Sequence, residues 1–282
     1  MKLVHTPTRL CRINVLTLPL NRMTDMNIPQ LFVDLVYSDE NKQNYIGMGN
    51  PNARILIIGR EPNHDLTTED GRNGFDQDQQ MNRDNWKNLI EGRPVIGRCN
   101  PRRPFTNQKC LTNNGHNDGT ARTWVWYQKL VDLILGREFE RSYMLRPVAF
   151  HDYCFHTDIS AAAAARIATT DKTAKAASVA ERSEQLFCHP FFKQFPIVIL
   201  GIGTDVGQYV PLEWCQKVLG FPISEVVNIQ NKPMIWLNGD STNSRVLIHS
   251  HSLSQPSYEY IYKIREVIWE NGLSDCCWPK AY

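Results

Sequence analysis

The chain has 282 residues, of which 42% are hydrophobic and 21% are charged, and its formal net charge at pH 7 is +2. This length is enough for one large domain with a full hydrophobic core. The near-neutral charge excludes a global field that would attract a polyanion, so nucleic-acid binding requires a local basic patch.

Charged residues are distributed unevenly along the chain. The segment 60–84 is acidic, whereas the segment 91–110 is basic and includes Arg102 and Arg103. A basic segment of this kind contacts phosphates in some proteins and is a solvated surface loop in others. The composition of the segment is compatible with both interpretations.

The eight cysteines form no CxxC pair and show no spacing typical of a metal or iron–sulfur site. This pattern indicates reduced thiols in a cytoplasmic protein that has no metal and no other cofactor. Arg9, Arg12 and Asn14 interrupt the apolar residues near the start, so residues 1–26 are predicted to be a loose tail rather than a secretory signal. No apolar run has the length of a membrane span, which predicts no contact with a membrane.

Residues 27–282 are predicted to form a single domain. Its first part contains a helix and a connection over 27–50, and then a buried strand over 54–58. The polar segment 63–118 is predicted to be a long irregular insertion with one short helix near Arg83–Glu91.

The second part of the domain alternates between helices and strands. A helix is predicted from Trp124 to Leu135, because apolar residues recur there at helical spacing and Gly136 suits a C-cap. The remaining predicted elements are a strand ending near Asp158, an alanine-rich helix over 160–187 that is continuous or broken near 169–171, a strand over 196–201, a helix over 205–210, an edge strand over 234–237, a strand over 245–249 and a helix over 258–270.

This alternation is typical of an α/β domain. It predicts a three-layer α/β/α architecture with a central, mostly parallel four-stranded sheet. In such folds ligands bind at the carboxyl edge of the sheet. Glu61 follows the first strand and His249 ends the last one, so a carboxylate and an imidazole are predicted to meet at this edge.

The segments at this edge resemble two motifs of the uracil-DNA glycosylase superfamily. Gly59-Arg60-Glu61-Pro62-Asn63-His64 is similar to the family's Gly-Gln-Asp-Pro-Tyr-His, and His249-Ser250-His251-Ser252-Leu253-Ser254 is similar to its His-Pro-Ser-Pro-Leu-Ser. The segment 188–201 resembles the family's helix, apolar run and glycine. The order and spacing of these elements agree with the family from about residue 47 to residue 273.

The resemblance implies an enzyme that hydrolyses an N-glycosidic bond and excises uracil or a related base from DNA. Glu61 then positions water and stabilises the sugar cation, and His249 donates a hydrogen bond to the departing base. Leu253 takes the role of the residue that wedges into the duplex when the base is flipped out. Ser252 and Ser254 take the role of phosphate contacts.

The resemblance also implies a base pocket. Phe75 is the residue that stacks on the base, although a simple core position is the alternative. Asp158 corresponds to the amide that reads the base edge, or else it is the N-cap of the alanine-rich helix. Asn63 stands where the family has the tyrosine that excludes the thymine methyl group, and His64 retains the family's histidine.

Three further alternatives follow from the departures of this chain from the family motifs. Serines replace both prolines of the second motif, so His251 is an alternative to His249 as the functional imidazole. Arg60 contacts a phosphate or a carboxylate, or it pairs with Asp65. A non-catalytic nucleotide- or nucleic-acid-binding protein on the same scaffold is the alternative function. The chain has neither a Gly-x-Ser-x-Gly elbow nor a dinucleotide-binding fingerprint.

Overall fold

The computed structural model of the protein describes most of the chain between residues 28 and 273. The described residues are 28–60, 62, 64–97, 99–104, 122–137, 148–163, 171–203, 210, 212–221, 223–229, 232–238, 245–250, 253 and 256–273. The predicted tail over 1–26 and most of the predicted helix over 205–210 lie outside these ranges.

Seven strands form one sheet in the order β1-β3-β2-β4-β7-β6-β5. Their bounds are β1 Met48–Gly49, β2 Ile55–Gly59, β3 Cys154–Asp158, β4 Ile197–Leu200, β5 Ile223–Ile229, β6 Lys232–Asn238 and β7 Val246–His249. The four central strands β3, β2, β4 and β7 are parallel, while β1, β6 and β5 run antiparallel to their neighbours.

Helices cover both faces of the sheet. They are α1 Gln30–Tyr37, α2 Glu69–Phe75, α3 Asn82–Ile90, α4 Arg122–Ile134, α5 Lys172–Arg182, α6 Pro190–Lys193, α7 Leu212–Leu219 and α8 Tyr258–Ile268. Three π-helical turns, Asp76–Gln80, Ser183–Phe187 and Trp269–Leu273, continue α2, α5 and α8.

The hydrophobic core is divided into two clusters by the sheet. Side chains alternate along a strand, so Leu56 and Ile58 of β2 pack with α1, α3 and α6 on one face, here called the α1 face. Ile55 and Ile57 pack with α4 and α8 on the other face, here called the α4 face. This α/β arrangement with a mostly parallel sheet is compatible with a three-layer α/β/α fold.

Side-chain caps set the starts of several helices. The Asp171 carboxylate accepts hydrogen bonds from the backbone N–H groups of Thr173 and Ala174 at the start of α5. Ser257 caps α8 by accepting from the N–H of Tyr260. Such caps satisfy backbone donors that have no partner within the helix.

The sheet has seven strands instead of the predicted four, because antiparallel strands extend it on both sides. The structure differs from the predicted elements in three further places. The segment 63–118 is less irregular than predicted, since α2 and the turn Asp76–Gln80 precede α3. The predicted edge strand over 234–237 lies within β6, which pairs on both sides, and β5 forms the edge. The alanine-rich segment becomes helical only from Lys172 in the part that the structure describes.

Within the described ranges, no helix has the length and apolarity needed to cross a membrane. Cys99, Cys154, Cys188 and Cys215 are the cysteines in these ranges, and each is a free thiol. The remaining four cysteines lie outside them.

Candidate functional site

The carboxyl ends of the four parallel strands lie side by side at one edge of the sheet. Ile58 of β2 pairs with Leu200 of β4, and Leu200 pairs with His249 of β7. Neighbouring strands are about 4.8 Å apart, so the ends of β2 and β7 are separated by about 10 Å and those of β3 and β7 by about 14 Å.

Backbone hydrogen bonds extend this alignment into the loops beyond the strands. The Ser160 N–H donates to the carbonyl of Arg60 at 3.2 Å, and the Ser250 N–H donates to the carbonyl of Leu200 at 2.9 Å. Arg60 and Ser250, the first residues beyond β2 and β7, are therefore held next to the neighbouring strands.

His249 is the last residue of β7 and is partly buried. Burial lowers its pKa to about 4, so the imidazole is neutral at pH 7. Its Nε2 atom is buried and has no hydrogen-bond partner among the described residues. A neutral imidazole carries one donor and one acceptor, so His249 is able to donate a hydrogen bond without carrying charge.

Asp158 is the last residue of β3 and is 8% exposed. Its Oδ1 atom lies 3.5 Å from Nε2 of His156. A Cβ atom added to Gly59 would lie only 2.7 Å from the same oxygen, so this position requires glycine. Asp158 is not the N-cap of the alanine-rich helix, because Asp171 has that role.

His156 and Tyr127 surround this carboxylate on the α4 face. His156 is 1% exposed, and burial lowers its pKa to about 3. The hydroxyl of Tyr127 lies beneath two glycines, 3.4 Å from an added Cβ of Gly59 and 3.3 Å from one of Gly201. The helical spacing of apolar residues in α4 does not indicate that the ring of Tyr127 reaches the sheet edge.

Arg182, at the end of α5, is another residue of this region that the sequence did not indicate. It is fully buried, and its guanidinium donates to the carbonyl of Asp158 at 3.1 Å and to the hydroxyl of Thr157 at 3.0 Å. It also donates to the carbonyl of Tyr45 at 2.8 Å. Burial lowers the pKa of Arg182 to about 10, so it is still a cation at pH 7.

Two predicted pocket residues, His64 and Phe75, contact one another. Their ring centroids are 5.8 Å apart in an edge-to-face arrangement, and Phe75 is half-buried at the end of α2. His64 Nε2 lies 3.6 Å from a carboxylate oxygen of Asp78. Burial lowers the pKa of His64, and the negative charge of Asp78 only partly offsets that effect.

Leu253 is 2% exposed and belongs to the core cluster on the α4 face. Its Cδ1 atom would lie 3.1 Å from a Cβ atom added to Gly201. In this conformation Leu253 packs against the protein, so insertion into a duplex would require its loop to move. Arg60 is half-buried directly after β2.

Other predicted site residues lie outside the described ranges. They are Glu61, Asn63, His251, Ser252 and Ser254. Among the described ones, strand alternation places Asp158 on the α4 face with Cys154 and His249 on the α1 face with Leu247. The structure therefore brings them to the same edge but on opposite faces of the sheet.

Part of the basic segment lies at the opposite end of the sheet, where the parallel strands begin. Arg102 and Arg103 each donate to Oδ1 of Asp152, at 3.3 Å and 3.1 Å, just before the start of β3. These two arginines are therefore at the amino end of the strands and away from the candidate site. Among the described side chains, no three His, Cys, Asp or Glu residues are grouped so that they could hold a metal ion.

No protein-family model matches the chain, and no curated protein sequence matches it significantly.

Proposed function

We propose that the protein is an N-glycosidic bond hydrolase of the uracil-DNA glycosylase type, with a uracil-DNA glycosylase-like version of the α/β/α fold. It excises uracil or a related base from DNA. The observation that carries this proposal is the neutral imidazole of His249, whose Nε2 atom is buried without a partner in the described structure at the edge that also bears the first motif.

In the proposed reaction, water attacks the anomeric carbon of the sugar while the bond from that carbon to the base nitrogen breaks. Both electrons of the broken bond leave with the base, so negative charge develops on the base and positive charge on the sugar. The N–H of His249 stabilises the base anion, as donors of an oxyanion hole do. Glu61 positions the water and accepts its proton.

A neutral imidazole suits this role because it donates a hydrogen bond to the base without placing a positive charge in a buried site. A charged imidazole would pay a large desolvation penalty in the same position. The resemblance of residues 59–64 to the family's first motif supports the role of Glu61, whose side chain lies outside the described ranges.

The test is cleavage of a labelled single-stranded oligonucleotide that contains one deoxyuridine, followed by alkali to break the abasic strand. We expect the wild type to cleave and His249→Ala to lose about 10²- to 10³-fold in rate, which is typical for removal of one oxyanion donor. Glu61→Ala is expected to lose activity as well. Arg103→Ala, at the opposite end of the sheet, is the control that keeps activity.

Two results separate this proposal from its alternative. No cleavage by a large excess of wild-type enzyme would exclude excision of uracil from single-stranded DNA. Retained binding of the oligonucleotide in that case, lost in His249→Ala, would favour a nucleotide- or nucleic-acid-binding protein that does not cleave.

A further inference from the structure

The hydroxyl of Tyr45 is a buried polar group without a hydrogen-bond partner among the described residues. Tyr45 itself is 2% exposed. An unpartnered hydroxyl in a protein interior is unfavourable by itself, and such groups commonly mark a site where something else binds.

Strand pairing places Tyr45 at the same edge as the candidate site. β1 is antiparallel to β3, with Met48 opposite His156. The residues before Met48 therefore run alongside the residues after His156, and Tyr45 lies beside the carboxyl end of β3.

Side chains from two helices hold Tyr45 in this place. The Arg182 guanidinium bonds to the carbonyls of both Tyr45 and Asp158, which fixes these residues relative to one another. The Asn82 amide accepts from the N–H of Ile46 at 3.0 Å, and the Trp86 indole donates to the carbonyl of Gly47 at 2.8 Å.

Burial and nearby charges determine whether Tyr45 and Asp158 donate or accept hydrogen bonds. Burial raises the pKa of Tyr45 well above its usual value, and the negative charge of Asp158 raises it further. Tyr45 therefore keeps its proton and is a hydrogen-bond donor at neutral pH. A carboxylate such as that of Asp158 only accepts hydrogen bonds.

We propose that Tyr45 and Asp158 together read the lactam edge of the excised base. The Tyr45 hydroxyl donates to the ring carbonyl, and the Asp158 carboxylate accepts from the neighbouring ring N–H. The pair thereby supplies the donor and the acceptor that a single amide side chain would supply. This inference rests on the proposed function, because it assigns the specificity of the same site.

The substrate class follows from the pattern of donors and acceptors. Uracil and hypoxanthine present a carbonyl beside an N–H, which is complementary to the pair. Cytosine and adenine present an amino group beside an unprotonated nitrogen, so both contacts would be mismatched. Sites built around such hydrogen bonds discriminate strongly against analogues that cannot form them.

The test compares wild type with Tyr45→Phe in two measurements. The first is cleavage of oligonucleotides that carry deoxyuridine or deoxyinosine. The second is binding of the free bases uracil, hypoxanthine, purine and pyrimidine, measured by protein NMR shifts, which does not depend on cleavage. Purine and pyrimidine have no carbonyl and therefore lack the lactam edge.

We expect wild type to bind uracil and hypoxanthine in preference to purine and pyrimidine. Tyr45→Phe should lose about 10- to 100-fold in affinity for the lactam bases, the size of one hydrogen bond to a buried group. Its affinity for the other two bases should not change. Thermal unfolding of Tyr45→Phe should not occur at a lower temperature, since the lost hydroxyl has no described partner.

Tyr127→Phe is the matched control, because it removes another buried hydroxyl close to Asp158. Equal lactam preference in wild type and Tyr45→Phe would overturn the inference, as would a loss confined to Tyr127→Phe. If wild type cleaves and Tyr45→Phe is unchanged, the proposed function stands and this inference fails. If nothing is cleaved but lactam binding is lost in Tyr45→Phe, the inference stands and the hydrolase proposal fails.

Discussion

The two ends of strand β3 are built differently. At the amino end, the Asp152 carboxylate accepts hydrogen bonds from Arg102 and Arg103, and its backbone carbonyl accepts from the Asn50 side chain at 2.9 Å. At the carboxyl end, the Tyr45 hydroxyl and the Nδ1 atom of His156 are buried without described partners. The same strand thus begins beside the hydrogen-bond network around Asp152 and ends beside the buried, unpartnered hydroxyl of Tyr45.

This difference helps to separate structural from functional groups. A buried donor or acceptor without a partner is unfavourable by about 1–3 kcal/mol, so an ordinary protein interior leaves few of them. The amino end gains stability from its own contacts, whereas the carboxyl end retains hydrogen-bonding capacity for a ligand.

The largest effect is expected from Arg182, which fixes the carboxyl end. Arg182→Met should lower the free energy of unfolding by about 3–5 kcal/mol, because the carbonyls of Tyr45 and Asp158 and the hydroxyl of Thr157 lose their buried donor. Arg182→Lys should restore little of it, since an ammonium group cannot reproduce the planar fork. Urea unfolding measures both variants, and a loss below about 1 kcal/mol would contradict the assigned role of the guanidinium.

A pH effect of intermediate size is expected from His249. Its pKa is about 4 in the folded chain against 6.5 in an unfolded one, so the unfolded chain binds more protons between these values. The free energy of unfolding should therefore fall as the pH drops from 6.5 to 4, by up to about 1.4 kcal/mol per pH unit from this residue.

His249→Gln is the variant that isolates this contribution, since it cannot titrate in this range. Its unfolding free energy should depend less steeply on pH than that of the wild type. An NMR titration of the His249 ring should give a midpoint near 4, and a midpoint near 6.5 would show that the imidazole is charged in mildly acidic solution.

A smaller loss is expected from Gly59→Ala. The new methyl group would lie 2.7 Å from Asp158 Oδ1 and 3.0 Å from His156 Nε2. Overpacking of this kind lowers the free energy of unfolding by about 1–3 kcal/mol. Gly74→Ala is the control, because its methyl group would meet only the ring of His64 at 3.2 Å and alanine favours the helix.

The smallest effect is expected at the amino end of β3. Arg103 is largely exposed, with its side chain 65% accessible, so Arg103→Ala should change the free energy of unfolding by less than about 1 kcal/mol. Calorimetric unfolding measures this change. A loss as large as that of Arg182→Met would remove the distinction between the two ends of β3.

The sequence predicts the parallel strands β2, β4 and β7 because each contains a continuous apolar run, as in Ile55–Gly59. The parallel strand β3 has no such run, since it is Cys-Phe-His-Thr-Asp. The sequence does not predict β5, whose residues Ile223–Ile229 mix polar and apolar types without a clear period. Arg182 was also missed, because an alanine-rich helix indicates helix propensity and says nothing about which side chain reaches the sheet.

Local sequence patterns predict the candidate site equally incompletely. His249 is predicted from the apolar run that it ends, and Asp158 from the resemblance to the family's base-reading position at the end of a strand. Tyr45 was missed because its position depends on the pairing of the two-residue strand β1 with β3, which are more than a hundred residues apart in the sequence. Local patterns do not record such pairing.

Arg182 and Asn82 hold the segment from Tyr45 to Gly47 by hydrogen bonds, and this has a consequence for hydrogen exchange. The segment from Tyr45 to Gly47 is fixed by side chains of α3 and α5, since β1 adds only two residues of ladder. We therefore expect the amides of Ile46 and Gly47, both bonded to Asn82, to exchange together with those of α3 as one cooperative unit. The segment 45–47 beside the candidate site would then open together with α3.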